Sequence, residues 1–362
     1  LDSFTLLAIP LFMIAGKFMQ KGGISKRLIK LATNMVGSFS GGLALVAILS
    51  CMFFAAISGS APATVVAIGA IMVPAMIDAG YDKAFSVALM AAAGTIGVII
   101  PPSIPFVTYG ITVSASIGKL FVAGIIPGIL MGGSLMILSV VIAKKRGYKG
   151  SEKPSMKTFL KSLKESFWGM LMPVIILGGI YGGIFTPTEA AAVACVYSFV
   201  VGTFIYKELE FKDFIKGFSE AGVTSAMVLL IIATATAMGW IMTTEQIPIK
   251  VATAISSIST NPIIVLLLIN LILLITGCFM ELNAAIVILG PLLLPLVNAL
   301  GIDIIHFGII MVVNMTLGLL TPPLGVNLFI AGSLHDGVNF KQIVRAVMPM
   351  LLVLLVDLAL LT

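Results

Sequence analysis

Two stretches decide how this chain folds: Gly94-Thr95-Ile96-Gly97-Val98-Ile99-Ile100-Pro101-Pro102-Ser103-Ile104-Pro105 and Thr316-Leu317-Gly318-Leu319-Leu320-Thr321-Pro322-Pro323-Leu324-Gly325. Each interrupts an apolar run with glycine and then a proline pair, so neither can be a continuous helix. A shift of 221 residues relates them. The same shift lays Gly69 on Gly290, Pro74 on Pro295, Gly80 on Gly301, Asp82 on Asp303, Thr95 on Thr316, Gly97 on Gly318 and Pro101-Pro102 on Pro322-Pro323. Apolar residues coincide by chance in an apolar chain, but Gly, Pro, Asp and Thr coinciding at one offset mark an internal duplication.

The medium around these breaks is lipid. Of 362 residues 59% are hydrophobic and 10% charged, with mean hydropathy +1.18. A soluble domain is about half apolar and about a quarter charged, so an ordinary soluble protein, a disordered one and a nucleic-acid binder are excluded, despite the net charge of +6. Apolar segments lie near 3–20, 40–58, 61–78, 83–100, 103–116, 119–143, 167–185, 188–206, 221–243, 262–280, 282–299, 303–320, 324–333 and 344–361. Those at 61–78, 103–116 and 324–333 have the lengths of hairpin halves or broken helices. Two stretches are amphipathic, with Ile24, Leu28, Leu31, Ala32 and Met35 on one stripe and Ile247, Val251, Ala254, Ile255 and Ile258 on the other. Both read as helices lying in the membrane interface.

Counting crossings orients the two copies. If 40–58 and 61–78 form a hairpin that returns to its own side, five crossings separate the copies, at 3–20, 83–116, 119–143, 167–185 and 188–206. Five is odd, so the second copy is inverted. This topology places all but Lys119 and Lys250 of the 21 basic residues on one face, which the positive-inside rule makes cytoplasmic. The helices at 167–185 and 188–206 precede the second copy, and their counterparts would fall before Leu1. The expectation is that the native chain begins upstream.

In the bilayer core, irregular backbone is tolerated only where it is buried in protein or lines a polar cavity. Ser58-Gly59-Ser60-Ala61-Pro62-Ala63-Thr64 and Met280-Glu281-Leu282-Asn283 read as hairpin tips beside the two breaks. Half-helix N-termini there suit an anion, while freed carbonyls with Ser and Thr hydroxyls suit Na⁺. Glu281 is the costliest residue, either a functional acid or a cap on the following half-helix. Asn283 and Asn327 resemble it in position, and Asn314 could be interhelical glue. Glu189, after Thr186-Pro187-Thr188, reads as a helix cap. His306 and His335 sit at membrane edges, and Cys51, Cys195 and Cys278 read as buried hydrophobes. The sequence contains no GxxxxGK[ST], HExxH or GxSxG.

Leu1-Asp2-Ser3-Phe4 with Leu7-Ala8-Ile9-Pro10-Leu11-Phe12, Ser58-Gly59-Ser60-Ala61, Pro101-Pro102-Ser103, Phe185-Thr186-Pro187-Thr188-Glu189-Ala190 and Leu320-Thr321-Pro322-Pro323-Leu324-Gly325 carry a resemblance. The chain resembles the large membrane subunit of the tripartite ATP-independent periplasmic (TRAP) transporters over essentially its whole length. The resemblance implies an all-α polytopic membrane protein, an inverted repeat with two re-entrant helical hairpins and two broken helices, working as an elevator-type transporter in a bacterial inner membrane. It further implies Na⁺-coupled uptake of an organic acid, with a small membrane subunit and a periplasmic substrate-binding protein as partners.

Its sodium sites map onto Ser58, Ser60 and Gly97, and onto Glu281 or Asn283 with Thr316 and Gly318. Substrate would lie near Ser60, Pro62, Ser103, Asn283 and Asn327. Glu281 stands where sialic-acid members resemble Ile-Asp, which points to a C4-dicarboxylate or sugar acid. The expected organisation is a scaffold helix and arm at 1–38 and a transport-domain half at 39–118, with its hairpin at 39–80 and broken helix at 83–116. Scaffold helices, a cytoplasmic linker and a second arm follow at 119–260. The second transport half spans 261–335, with its hairpin at 262–300 and broken helix at 303–333, and a terminal scaffold helix occupies 341–362. The rival readings are a stand-alone ion-coupled dicarboxylate or citrate-type carrier, a membrane-embedded enzyme and a scaffold without transport.

Overall fold

A computed structural model describes residues 4–150, 154–258 and 261–362. Leu1, Asp2, Ser3 and Lys153 lie outside the described residues, as does the Ile258 side chain. The first copy comprises α1 (Ala8–Lys21), α2 (Ile24–Val36), α3 (Gly42–Ser58), α4 (Ala61–Asp78), α5 (Lys83–Gly94) with a 3-10 turn at Thr95–Val98, α6 (Ile104–Val113) and α7 (Ile117–Arg146). Between the copies run α8 (Met156–Tyr181) and α9 (Pro187–Val200). The second copy comprises α10 (Phe211–Thr244), α11 (Ile247–Ile258), α12 (Pro262–Phe279), α13 (Leu282–Ala299), α14 (Ile304–Gly318), α15 (Val326–Gly332) and α16 (Phe340–Leu361). Among the described residues nine helices are long and apolar enough to cross a membrane. The chain is an all-α, multi-pass membrane protein with broken helices.

The repeat is visible element by element, with α4 at Ala61–Asp78 and α13 at Leu282–Ala299 separated by the predicted shift. Equivalent aspartates begin the two broken helices: Asp82 Oδ1 accepts from Phe85 N at 2.8 Å, and Asp303 Oδ1 from Ile305 N at 2.8 Å. The copies run in opposite directions. Tyr109, near the end of α6, donates to the Ile304 carbonyl at the start of α14, 2.8 Å away. At the other end, the start of α5 shares a cleft with the loop entering α16.

The outer helices pack on one another and on the hairpins. α1 lies on α9 and α10, and α8 on α2 and α9, while α2 also packs on α3 and α10 on α13. The arm α2 buries Ile24, Leu28, Leu31 and Ala32 against α3 and α8, while Met35 is exposed. Most of its apolar stripe therefore faces protein rather than lipid. Polar contacts fix its outer side: Arg27 sits 2.6 Å from Glu208 and 3.8 Å from the Tyr206 ring centre, and Lys30 is 2.7 Å from Glu165. The second arm, α11, packs on α13 and buries Ile255.

The hairpins and broken helices also pack with α7 and α16. The sequence reading sets 119–143 and 341–362 with the scaffold; in the structure α7 packs on α3, α6, α14 and α16, and α16 on α5, α7, α14 and α15. Gly124, Gly128 and Gly132 supply the reason. They form a one-sided stripe on α7 along which a neighbouring backbone can come close. A Cβ at Gly124 would lie 2.7 Å from the Ile99 carbonyl, one at Gly128 2.3 Å from Ile100 Cγ1, and one at Gly132 2.4 Å from Met52 Sδ. The stripe thus seats the first break and the first hairpin. Farther along α7, Ser134 Oγ donates to Asp357 of α16, a carboxyl only 3% exposed. Asp357 is an intramembrane acid that the reading of apolar runs passed over.

The stripe can be tested with adjacent glycines. Gly128→Val should destabilise the protein by about 1–3 kcal/mol through overpacking against Ile100. Gly133→Val should unfold close to wild type, since nothing lies within 4 Å of its Cβ position. Thermal unfolding in detergent reads both, and equal midpoints would refute the packing argument.

Candidate functional site

The first hairpin turns where Gly59 takes a left-handed conformation, φ +61°, and ends α3. A Cβ there would lie 2.8 Å from the Pro102 carbonyl, so the tip rests directly on the first break. Ser60 is extended and caps α4, its hydroxyl accepting from Ala63 N at 3.4 Å. One turn later Thr64 Oγ1 donates to the Ser60 carbonyl at 2.9 Å and lies 2.9 Å from Ser58 Oγ. Gly97 closes the cluster from the break, where a Cβ would be 2.4 Å from Thr64 Oγ1 and 2.8 Å from the Ser60 carbonyl. Ser58, Ser60 and Gly97 therefore lie together, with Thr64 beside them. The result is an uncharged oxygen cradle in which Ser58 and Thr64 are buried.

Ser103 has a different position. It is fully buried, its hydroxyl donates to the Val98 carbonyl at 2.5 Å, and it accepts from Phe106 N at 3.3 Å. It closes the break and caps α6. Thr95 and Thr316 likewise spend their hydroxyls on their own helices, on Ala92 and Val312 carbonyls.

The second tip is built from other groups. Glu281 Oε2 accepts from Ala284 N at 2.9 Å and so caps α13, while Oε1 accepts from Asn283 Nδ2 at 2.9 Å. Asn283 Oδ1 in turn accepts from Thr108 Oγ1 of α6 at 3.1 Å, linking the second tip to the first broken helix. Glu281 is not enclosed by packed side chains and lines the cavity between the tips. Gly318 does not mirror Gly97: a Cβ there would lie 2.4 Å from the carbonyl carbon of Gly277, so it serves α12–α14 packing. Asn314 bridges the same helices, donating to Asn270 O and Oδ1 at 3.0 Å each. Asn327 is fully buried and donates to the Ala91 carbonyl at 3.2 Å.

Between the tips lies a cavity of about 210 Å³ whose wall includes Ser60, Pro62, Glu281, Asn283 and, from α10, Thr224. Ser103 and Asn327 are not among its lining residues. An adjoining cavity of about 250 Å³ shares Ser60, Pro62 and Thr224 and continues past Lys17 and Gln20 toward the basic face. A larger cavity, about 720 Å³, lies at the opposite face around Ser116, Lys119 and Tyr181, away from both tips. Among the described residues no group of three or more His, Cys, Asp or Glu could hold a metal ion. Glu189 forms the expected capping box with Thr186, accepting from its backbone N at 2.7 Å.

Sequence reasoning missed three groups. Thr64 stands one helical turn after the capping Ser60, so its spacing could have placed it in the cradle. Thr108 and Thr224 carry no local signal, because each meets the site across the fold.

A family model described as "Tripartite ATP-independent periplasmic transporter, DctM component" matches residues 1–362. The isethionate TRAP transporter permease protein DctMQ of Oleidesulfovibrio alaskensis is 52% identical over 356 residues, which are 98% of this chain and 56% of that protein. The C4-dicarboxylate TRAP transporter large permease protein DctM of Pseudomonas aeruginosa is 46% identical over 361 residues, 100% of this chain and 84% of that protein. The sialic acid TRAP transporter large permease protein SiaM of Vibrio cholerae is 43% identical, covering 99% of this chain and 84% of its own. The crystal structure of the Alcanivorax borkumensis YdaH transporter superimposes with TM-score 0.69 at 16% identity, over 99% of this chain and 84% of that one. At that identity the likeness concerns the fold alone.

The link between the copies is measurable without any ligand. A double-mutant cycle of Thr108→Val and Asn283→Leu, read by unfolding in detergent, should give a coupling of about 1 kcal/mol. Strict additivity would mean that the two side chains do not meet.

Proposed function

The chain belongs to the DctM component family of the tripartite ATP-independent periplasmic transporters, a family of transporters rather than enzymes, and on that premise we propose that it carries an organic acid, delivered by a periplasmic binding protein, across the inner membrane in symport with Na⁺. The observation that supports sodium coupling is the oxygen cradle of Ser58, Ser60, Thr64 and Gly97 beside the cavity between the tips. Hydroxyl and carbonyl oxygens without a carboxylate suit a monovalent hard cation that must be released in every cycle. Bound there, Na⁺ would supply positive charge next to the cargo.

The chain's own groups do the rest. Ser60 and Asn283 present hydrogen-bonding atoms to the cavity, and the N-termini of α4 and α13 point their partial positive charge at it. Glu281 holds the second tip in shape through Ala284 and Asn283. The cavity suits a small organic anion, in keeping with the isethionate and C4-dicarboxylate cargoes for which two relatives are named. The helices that pack together around the breaks, α3–α7 and α12–α16, would move as one body against α1, α2 and α8–α11, the elevator motion. A small membrane subunit would complete the static part.

Proteoliposomes containing both membrane subunits should take up substrate only with an inward Na⁺ gradient and a loaded binding protein. Uptake unchanged without either would overturn the reading. Thr64→Ala should raise the Na⁺ concentration for half-maximal uptake about tenfold, about 1.4 kcal/mol for the loss of one hydroxyl oxygen ligand, while Thr64→Ser stays near wild type. An unchanged sodium dependence in Thr64→Ala would remove the cradle from the ion path.

A further inference from the structure

Basic side chains on the cytoplasmic face fall into two groups. One comprises cations matched by carboxylates: Lys17 and Lys21 lie 2.9 and 3.7 Å from Glu220, Arg27 2.6 Å from Glu208, and Lys30 2.7 Å from Glu165. The other comprises cations without an ion pair among the described residues; Lys26, Lys157, Lys161, Lys164 and Lys216 are spread singly along the outer helices, whereas at the cytoplasmic end of the hairpin bundle they gather in one place. A cleft of about 440 Å³ opens between the first turn of α5, the last residue of α7 and the start of α16, walled by Asp82, Lys83, Arg146, Gln342 and Arg345. Among the described residues neither Lys83 nor Arg345 forms an ion pair. Arg146 is held in place, 3.5 Å from Asp82 Oδ1, 3.5 Å from Tyr148 Oη and 5.6 Å from the Phe85 ring centre.

The cleft sits at headgroup depth. The apolar run of α7 ends at Ala143, and those of α5 and α16 begin just beyond Lys83 and Gln342. Tyr81 and Tyr148 stack beside it with centres 4.1 Å apart, the kind of side chain that membrane interfaces collect. Nor does the duplicated fold require its charges. The repeat relation carries Lys83 onto Ile304 and Arg345 onto Gly124, although the aspartate caps and glycines of the two copies match. Lys83 and Arg345 are therefore not demanded by the duplication, and with Arg146 they bring three cationic side chains from three separate helices to one leaflet.

We propose that this cleft binds the phosphate headgroup of an anionic phospholipid of the cytoplasmic leaflet, with Lys83, Arg146 and Arg345 as its ligands. Arg146 offers a planar donor fork already oriented by Asp82 and Tyr148, and the two unpaired cations close around the phosphate. The inference rests on the basic face being cytoplasmic and not on the choice of coupling ion. A lipid held there ties the moving bundle to its leaflet, so lipid composition biases the position of the bundle.

The test uses the purified transporter in nanodiscs of phosphatidylcholine with or without phosphatidylglycerol, with bound lipid counted by native mass spectrometry. Wild type should retain phosphatidylglycerol, and Lys83→Gln with Arg345→Gln should lose it by about fivefold for each charge removed. Lys83→Arg with Arg345→Lys should retain it, as should a control that neutralises the exposed Lys161 and Lys164 on α8. Equal retention in wild type and the neutralised pair would overturn the site, as would an equal loss in the control. Inorganic phosphate stabilising the wild type in pure phosphatidylcholine as much as phosphatidylglycerol does would overturn the lipid assignment in favour of a free anion.

Discussion

In a bilayer every backbone N–H and C=O must find a partner inside the protein, and this fold is organised around two stretches that break that rule locally. At the first break Ile99 and Ile100 donate back to the Ile96 carbonyl at 3.0 and 3.2 Å, Ser103 covers the Val98 carbonyl, and Ile104 N reaches the Gly59 carbonyl at 3.4 Å. At the second, Leu319, Leu320 and Thr321 donate within the turn, and Asn327 N returns to the Leu319 carbonyl at 3.1 Å. Each break is thus sealed by its own turn and by the half-helix that follows it, the first also by the Gly59 tip, and the glycine stripe of α7 brings that helix against the first break. A transporter needs irregular backbone for its site and cannot leave that backbone in lipid, so the site and its enclosure are one structure.

The two copies share this enclosure but differ in chemistry. In the first, the tip and break meet through hydroxyls and carbonyls alone, around Thr64 and Gly97. In the second, a carboxylate and an amide hold the tip, and that amide turns across the molecule to Thr108. Packing diverges too: α3 lies along α4, whereas α12 packs mainly on α14 and α13 on α6, α10 and α11. Two copies of one ancestral plan therefore present unlike walls to a single cavity. The proposed sodium cradle therefore lies on the first wall alone, and the tip that carries Glu281 and Asn283 on the other.

Much of this was legible in the residues. Glycine and proline act through local backbone geometry, so the breaks, the hairpin tips and the shift between copies could be read directly, and the count of crossings with the placement of lysine and arginine oriented the copies. The grouping of Ser58, Ser60 and Gly97 came from the family resemblance, and the structure brings those three residues together at the first tip and break. The arms showed their amphipathic stripes, but α2 turns most of its stripe toward α3 and α8, since periodicity reveals a buried face and not what buries it. Asp357 was hidden by the apolar run around it, and Gly124, Gly128 and Gly132 lie in another such run, where spacing alone does not say what packs on them.

The sequence by itself determined the membrane class, the inverted duplication and the four places where helices end inside the bilayer, because hydropathy, backbone conformation and charge asymmetry are properties of short segments. Only the tertiary structure decided which polar groups share the cavity. Ser103 and Asn327 turn inward to satisfy the Val98 and Ala91 carbonyls, Glu281 caps a helix, and Thr108 and Thr224 reach the site from distant segments. A hydroxyl or amide in a membrane goes to the nearest unpaired backbone group, and which group is nearest is settled by packing across the chain rather than by position along it.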